Sequence, residues 1–169
     1  MKARTEECSN CGAPARRVRG DYEWENLGLP NVVLKGIELV KCGKCGNVDP
    51  VFPRVAQIMR RIALTVVRKP YRLTGDEVRF LRKHLQMTGE EFGAVCQVDR
   101  TTVSKWENGE TPVGPQSDAL IRMVALALGD FAAGQNVPAT VRGFARINGA
   151  PPKPARIELD VESLEAVYI

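Results

Sequence analysis

The chain has 169 residues, of which 44% are hydrophobic and 26% are charged, a balance typical of globular proteins rather than disordered ones. No apolar run approaches the ~20 residues that a membrane helix needs, so we expect no membrane span. The first eleven residues are polar and charged and lack the apolar core of a secretory signal. A cytoplasmic protein is therefore expected.

The net charge of +4 is unevenly distributed along the chain. Residues 54–105 carry 11 Lys or Arg and 5 Asp or Glu, whereas residues 106–133 carry 1 and 4. A basic segment attracts polyanions such as nucleic acids, because binding releases their condensed counterions. Charge alone favours an ordinary solvated surface. Only the motifs can decide between such a surface and a nucleic-acid-binding surface.

Four of the five cysteines form two Cys-x-x-Cys pairs, each followed by a glycine: Cys8 with Cys11, and Cys42 with Cys45. Two thiolates at this spacing bind one metal ion from one side, and two such pairs complete the tetrahedral four-sulfur site that suits zinc. One alternative is iron on the same ligands. The other is a pair of disulfides, which the odd cysteine count and a reducing compartment disfavour. Because protein sulfurs supply every ligand, we expect one structural zinc ion per chain, with no open coordination position for catalysis.

The segment between the two cysteine pairs is typical of a β-hairpin. Residues 17–24 mostly alternate polar and apolar side chains, residues 29–31 have turn chemistry, and residues 32–40 are rich in β-forming side chains. A two-stranded hairpin is only marginally stable by itself, and zinc would clamp its ends. We therefore predict a zinc-binding module over residues 1–53.

Residues 54–70 change to a helical period, with apolar side chains at Val55, Ile58, Ile62 and Val66. Pro53 and Pro70 bracket the segment, which indicates a helix that links two modules. The alternative is that this helix belongs to the core of the second module, and the two interpretations are compatible.

Three capped helices are predicted in the next segment. Thr74 with Glu77 and Thr88 with Glu91 form capping boxes, and Asp99 is a third N-cap. The third helix ends at Asn108-Gly109, where glycine allows a left-handed residue. With a tight turn at residues 97–98, this pattern indicates a helix-turn-helix.

Residues 73–113 resemble the Cro/CI (Xre-like) helix-turn-helix family. The resemblance rests on Leu81-Arg82, Met87-Thr88, Glu91-Phe92, Val98, the run Thr101-Thr102-Val103-Ser104-Lys105-Trp106-Glu107, and Gly109. It implies that the helix from Arg100 to Glu107 enters the DNA major groove. The chain departs from the family pattern at Gly93, where alanine is usual, and at Gln97, where glycine is usual.

This resemblance also assigns individual residues. Arg100, Thr101 and Lys105 occupy base-reading positions, Thr102 lies close to them, and Thr88 and Asn108 stand where phosphates are contacted. Arginine and lysine can reach guanine O6 and N7, and threonine can touch a thymine methyl group. The resemblance further implies an internal ion pair between Arg82 and Glu107.

Several other side chains are expected to be structural. We interpret Trp106 as a core residue, Cys96 as a small buried hydrophobe, and His84 as a partly exposed helix residue. Residues 116–133 are predicted to form a long apolar helix that packs the domain and is expected to contact a second copy of the chain, and residues 71–133 are predicted to make up the DNA-binding domain. The remainder, 134–169, is predicted to be a linker followed by an acidic extension with a short strand at 156–161. This extension folds back on the basic module, binds a partner or has no role.

The predicted fold is therefore α+β, a small zinc-stapled hairpin module followed by an all-α helix-turn-helix domain. The cysteine spacing and this module order resemble the MqsA-type (YgiT-type zinc-finger) antitoxins. The resemblance implies a homodimer that represses its own operon on double-stranded DNA and whose zinc module neutralises a ribonuclease toxin. The residues after about 134 are not part of the typical pattern.

Three functions remain open at this point. The first is an antitoxin that is also an autorepressor. The second is a stand-alone zinc-containing Xre-family transcription factor without a toxin partner. The third, a metal-dependent or redox enzyme, is disfavoured because no open metal site, general base or nucleophile is evident, so we expect no catalytic residues.

Overall fold

The computed structural model describes residues 5–131, 136–147, 149 and 156–169. The predicted α+β class is confirmed, with a strand-rich cysteine region before a helical one. In the described part of the chain, no helix is long and apolar enough to cross a membrane. The elements are β1 (Thr5–Glu7), β2 (Pro14–Glu23), β3 (Val32–Cys42), β4 (Val48–Val51), α1 (Val55–Arg68), α2 (Gly75–His84), α3 (Gly89–Val95), α4 (Arg100–Glu107), α5 (Pro115–Leu128), α6 (Val137–Gly143), β5 (Ile157–Asp160) and β6 (Ala166–Tyr168).

Strand β3 is the centre of a six-stranded sheet. On one side it pairs antiparallel with β2 from Cys42 to Val33, which confirms the predicted hairpin. Its other side is shared by two strands. β4 pairs antiparallel with residues 38–41, and β5 pairs parallel with residues 32–35. Strands β1 and β6 extend the sheet beyond β2 and β5, respectively.

The C-terminal extension completes this sheet. The strand predicted at 156–161 is present as β5, and Ile157, Leu159 and Val161 are buried in the core. Arg54 anchors the extension by donating from Nη2 to the carbonyl oxygen of Val161 at 3.0 Å. Of the three outcomes considered for the extension, folding back is the one observed. The extension joins the cysteine-bearing sheet, whereas the expected surface was the basic module. The linker predicted at the start of 134–169 lies partly outside the described residues, and its described part contains the unanticipated helix α6.

Helix α1 packs between the sheet and the other helices. Ile58, Ile62 and Val66 are fully buried in a continuous hydrophobic cluster that also contains residues of β3, β5, α2, α4 and α5. A smaller cluster at the cysteine end contains Cys8, Ala15, Val40 and Cys42. Helix α1 therefore links the sheet to the helices and is also part of their shared core, so the linker interpretation and the core interpretation are both consistent with the structure. The domain boundaries placed at 53, 70 and 133 stay predictions.

Both predicted capping boxes are confirmed. The side chains of Thr74 and Thr88 accept hydrogen bonds from the N–H groups of Glu77 and Glu91 at 3.4 and 3.2 Å, and both capping boxes are complete. Asp99 stands at the N-cap position of α4, as predicted, but its side chain makes no capping hydrogen bond. Only its backbone oxygen accepts from Thr102 N–H, at 2.9 Å. The two capping boxes fix where α2 and α3 begin, whereas α4 begins without a side-chain cap.

The turn between α3 and α4 explains the two departures from the family pattern. Gln97 adopts a left-handed φ of 56°, and its amide Nε2 donates to Ala94 O at 2.9 Å, which offsets part of the backbone strain. At Gly93 a Cβ would stand 2.7 Å from Val98 O, closer than a side chain tolerates. The glycine therefore permits the close approach of α3 to the turn.

A buried polar network ties α1 to the helix-turn-helix, and the sequence analysis missed it. Arg122 of α5 pairs with Asp118 at 2.7 Å and donates to the carbonyl oxygens of Val67, Lys69 and Tyr71. Asp118 Oδ1 in turn accepts from Leu73 N–H at 2.6 Å. A single guanidinium thus satisfies the carbonyl groups at the end of α1 and in the connection to α2. An arginine and an aspartate four residues apart within an apolar helix are the signal that could have revealed it.

Candidate metal centre and nucleic-acid interface

The four cysteines of the two Cys-x-x-Cys pairs lie in or at the start of two similar loops at one end of the sheet. The first loop joins β1 to β2 and the second joins β3 to β4. In each loop the glycine after the second cysteine has a left-handed φ, 67° at Gly12 and 75° at Gly46. Each glycine N–H donates to the carbonyl oxygen of its loop's first cysteine, at 2.9 and 3.1 Å respectively. The two pairs therefore form the same tight turn, as the spacing predicts.

The sulfur positions fit one tetrahedral ion. All four Sγ atoms lie within 4.8 Å of one another, and the pairs Cys8–Cys45 and Cys11–Cys42 are each separated by 3.6 Å. Four sulfurs held about 2.3 Å from one zinc ion would be about 3.8 Å apart. A disulfide would bring two of them to about 2.05 Å, and all five cysteines of the chain are free thiols. The cluster is thus compatible with one zinc ion bound by the four cysteines.

Backbone amides in the second loop favour the thiolate form that binds a metal. The N–H groups of Cys45 and Lys44 point at the sulfur of Cys42 and lower its pKa to about 6. The N–H of Asn47 likewise lowers the pKa of Cys45. Since zinc binds thiolates and releases the thiol protons, these amides reduce the cost of occupying the site near neutral pH.

Polar side chains that the sequence analysis did not single out join the two loops. Ser9 Oγ donates to Asp49 at 2.6 Å, and Asn47 Nδ2 donates to the same carboxylate at 2.8 Å. Asn10 Nδ2 lies 3.8 Å from Cys45 Sγ and so reaches a sulfur of the opposite loop. These contacts orient the sulfur-bearing loops, as the outer partners of metal ligands commonly do.

Helix α4 presents a polar surface on the side opposite its core contacts. Val103 and Trp106 are buried, whereas Arg100, Thr101 and Lys105 are exposed. Thr102 is half-buried at the edge of this surface. Ser104 is also exposed, and by helical periodicity it lies between these exposed side chains, although the sequence analysis did not include it. The structure therefore brings the predicted base-reading residues to one accessible surface.

The two predicted phosphate-contacting residues flank this surface. Thr88 is the exposed N-cap of α3, and the backbone N–H of Thr88 lowers the pKa of Glu91 by donating to its carboxylate. Asn108 is exposed directly after α4, followed by Gly109 with a φ of 72°. The predicted assignment of these residues to DNA contacts stays a prediction.

The side chains predicted to be structural lie where the sequence analysis places them. Arg82 and Glu107 form a two-point ion pair, at 2.6 and 2.9 Å. Trp106 and Cys96 are buried, and burial raises the pKa of the Cys96 thiol, which makes it a poor nucleophile at neutral pH. His84 is half-buried between the rings of Phe80 and Phe131.

Comparison with known proteins finds a family match in the segment that carries this surface. Residues 78–117 match the family model described as helix-turn-helix. The match covers α2 to the start of α5, less than half of the chain. A search of curated proteins found no match to the chain. The chain therefore carries a helix-turn-helix domain of the Cro/CI type, which supports a DNA-binding transcription regulator.

Proposed function

We propose that this protein is a transcriptional repressor that binds a double-stranded DNA operator through α4 and performs no catalysis. The observation that carries the proposal is the exposed polar surface of α4 within the segment matched to the helix-turn-helix family. In a helix-turn-helix the second helix enters the major groove and meets base edges. Arg100 and Lys105 would then read guanine, while Thr101 would contact a thymine methyl group or offer its hydroxyl.

The proposed DNA-binding form is a homodimer, with α5 as the contact between the two copies. Met123 and Leu128 of this helix are 49% and 56% exposed, so their apolar side chains are accessible to a second copy. A symmetric dimer would place two copies of α4 about 34 Å apart on successive turns of the same DNA face. This spacing would make the operator a near-palindrome.

The finer proposal is that the protein is an antitoxin that represses its own operon. The cysteine spacing and the order of zinc module and helix-turn-helix support it, because this arrangement resembles the MqsA-type antitoxins. The four thiolates would hold a zinc ion that staples the two loops, and the sheet region would bind and neutralise a ribonuclease toxin. A stand-alone zinc-containing transcription factor is the alternative, and the two proposals differ only in the protein partner.

DNA recognition is tested with the full chain and two duplexes of equal length, one carrying the region upstream of its own gene and one of mixed sequence. We expect tighter binding to the upstream duplex, and Lys105→Ala should lose about 1–3 kcal/mol of that preference. Lys83→Ala removes an exposed lysine of α2 and serves as the charge-matched control. Equal losses on both duplexes would remove Lys105 from base reading, and equal wild-type binding to both would refute a specific operator there.

The toxin partner is tested by capturing proteins from the native cell lysate with the full-length chain. The full chain is needed because Leu159 and its neighbours in β5 complete the core under the sheet. Recovery of a small ribonuclease encoded beside this gene, with loss of its activity in the complex, would support the antitoxin. Retained operator binding without such a partner would favour the stand-alone factor.

A further inference from the structure

The orientation of Asn108, at the end of α4, is determined by a side chain from another helix. Arg79 of α2 uses one terminal nitrogen, Nη2, for two hydrogen bonds, to the carbonyl oxygen of Glu107 and to Oδ1 of Asn108, both at 2.8 Å. A guanidinium has donors and no acceptor. The amide atom that faces Arg79 must therefore be the oxygen, and the amide nitrogen must face away.

This orientation leaves an N–H donor at the surface beside α4. Asn108 is exposed, and its Nδ2 lies 3.4 Å from Ser104 Oγ. Among the described residues, Ser104 is the acceptor that this nitrogen reaches, so one of its two N–H bonds is available to an outside group. If the amide were rotated, a carbonyl oxygen would occupy that place and would repel a phosphate.

Arg79 is itself held in place by carboxylates that compensate its charge. Its Nε lies 3.5 Å from Glu107, the residue that also pairs with Arg82, and its Nη1 lies 3.8 Å from Asp76. The side chain is only 34% exposed, and it reaches the end of α4 from the side of α2. A paired, partly buried guanidinium of this kind is suited to orienting a neighbour rather than to binding a phosphate directly.

We propose that Arg79 is a positioning residue for DNA binding, which holds the Asn108 amide with its N–H donor directed at a backbone phosphate. The inference rests on the proposed function, because it assigns a role to a residue beside the proposed reading helix. A phosphate contact carries no sequence information, so the effect of Arg79 is the same on any duplex.

The test measures the binding of a fluorescein-labelled, mixed-sequence 30-base-pair duplex to the full chain at several KCl concentrations. Arg79→Met, Asn108→Ala and the double variant should each lose about tenfold in affinity, with no further loss in the double variant. Arg79→Lys should recover most of the loss, because its ammonium can still donate to Asn108. Arg19→Met, at an exposed arginine of the sheet, controls for the removal of one positive charge.

Several outcomes would overturn the inference. Losses that multiply in the double variant would show that the two residues act separately. A salt dependence reduced by about one phosphate in Arg79→Met would show that Arg79 binds DNA directly. If the wild-type chain bound no duplex, the proposed function would fail as well, whereas normal binding by Arg79→Met would remove only the role of Arg79.

A measurement without DNA separates orientation from folding. In NMR spectra of the free protein, the two side-chain amide protons of Asn108 should be shifted from the values of a fully exposed asparagine in the wild type and in Arg79→Lys. In Arg79→Met they should move to the values of a freely rotating asparagine, while backbone signals of α4 remain in place. Unchanged side-chain signals in Arg79→Met would overturn the inference even if DNA affinity fell.

Discussion

The residues that determine the helix-turn-helix lie close together in the sequence, whereas those that determine the sheet lie far apart. Helices α2 and α3 begin at residues whose capping partners lie three positions away, and the turns around α4 depend on single residues such as Gln97 and Gly109. The sheet instead needs β5 from the far end of the chain and four cysteines from two separate loops. Short-range signals therefore fix the proposed DNA-reading surface, whereas long-range pairing brings together the sheet and its four-cysteine cluster.

The largest expected effect is at the cysteine end. Cys42→Ser should abolish zinc binding, because it removes one of four thiolates whose combined zinc affinity in small modules is worth about 10–16 kcal/mol. Amide NMR signals of the two cysteine loops should collapse, while those of α2 to α4 persist, since Cys42 belongs to a separate small cluster. Zinc content per chain and heteronuclear NMR provide the two measurements.

A matched control for this experiment is Cys96→Ser, which changes a buried cysteine in the helical region. It should retain one zinc ion per chain. The prediction is that the sheet depends on the metal and that the helical region does not. Zinc content that falls equally in both variants would contradict it, and so would a sheet that is unchanged in Cys42→Ser.

The next largest effect concerns the junction between the two regions. Arg122→Met should lower the free energy of unfolding by about 3–5 kcal/mol, because it leaves a buried carboxylate on Asp118 without its partner. Urea unfolding measures the change. Arg60→Met breaks an exposed ion pair with Asp130 and should cost no more than about 1 kcal/mol. Similar losses in both variants would show that the buried network does not hold the junction together.

The contribution of the C-terminal extension is tested at β5. Leu159 is fully buried beneath the sheet, so Leu159→Ala should cost about 2–5 kcal/mol in the free energy of unfolding. Val167→Ala, on the exposed surface of β6, is the control and should stay within about 0.5 kcal/mol of the wild type. A small loss at Leu159 would mean that the sheet does not depend on its C-terminal strand for stability.

The same contrast explains how much could be predicted from the sequence. The capping boxes, the Arg82–Glu107 pair and the cysteine cluster were predictable because each rests on a fixed local spacing or on a family pattern. The parallel pairing of β5 with β3 was not, since alternation at residues 156–161 predicts a strand without naming its partner. The spacing of Asp118 and Arg122 in an apolar helix indicates a buried ion pair, but it does not indicate that Arg122 also reaches backbone carbonyls, because backbone acceptors leave no signature in side-chain patterns.

The smallest effect concerns pH in the helical region. Burial between Phe80 and Phe131, together with the nearby positive charge of Arg60, lowers the pKa of His84 below its ordinary value, and Asp130 opposes this only in part. The unfolded chain therefore takes up a proton more readily than the folded one. The free energy of unfolding should fall as the pH drops below about 6.5, the pKa of an unfolded histidine.

His84→Gln removes this proton uptake, so urea unfolding at about pH 7.5 and about pH 5.5, on either side of an unfolded histidine's pKa, should show a smaller acid loss in the variant than in the wild type. Protonation of groups outside the helical region, such as the Cys42 thiolate, is the same in both proteins and cancels in the difference. The difference thus isolates the helical region. An equal acid loss in the two proteins would mean that His84 is as easily protonated in the folded chain as in the unfolded one.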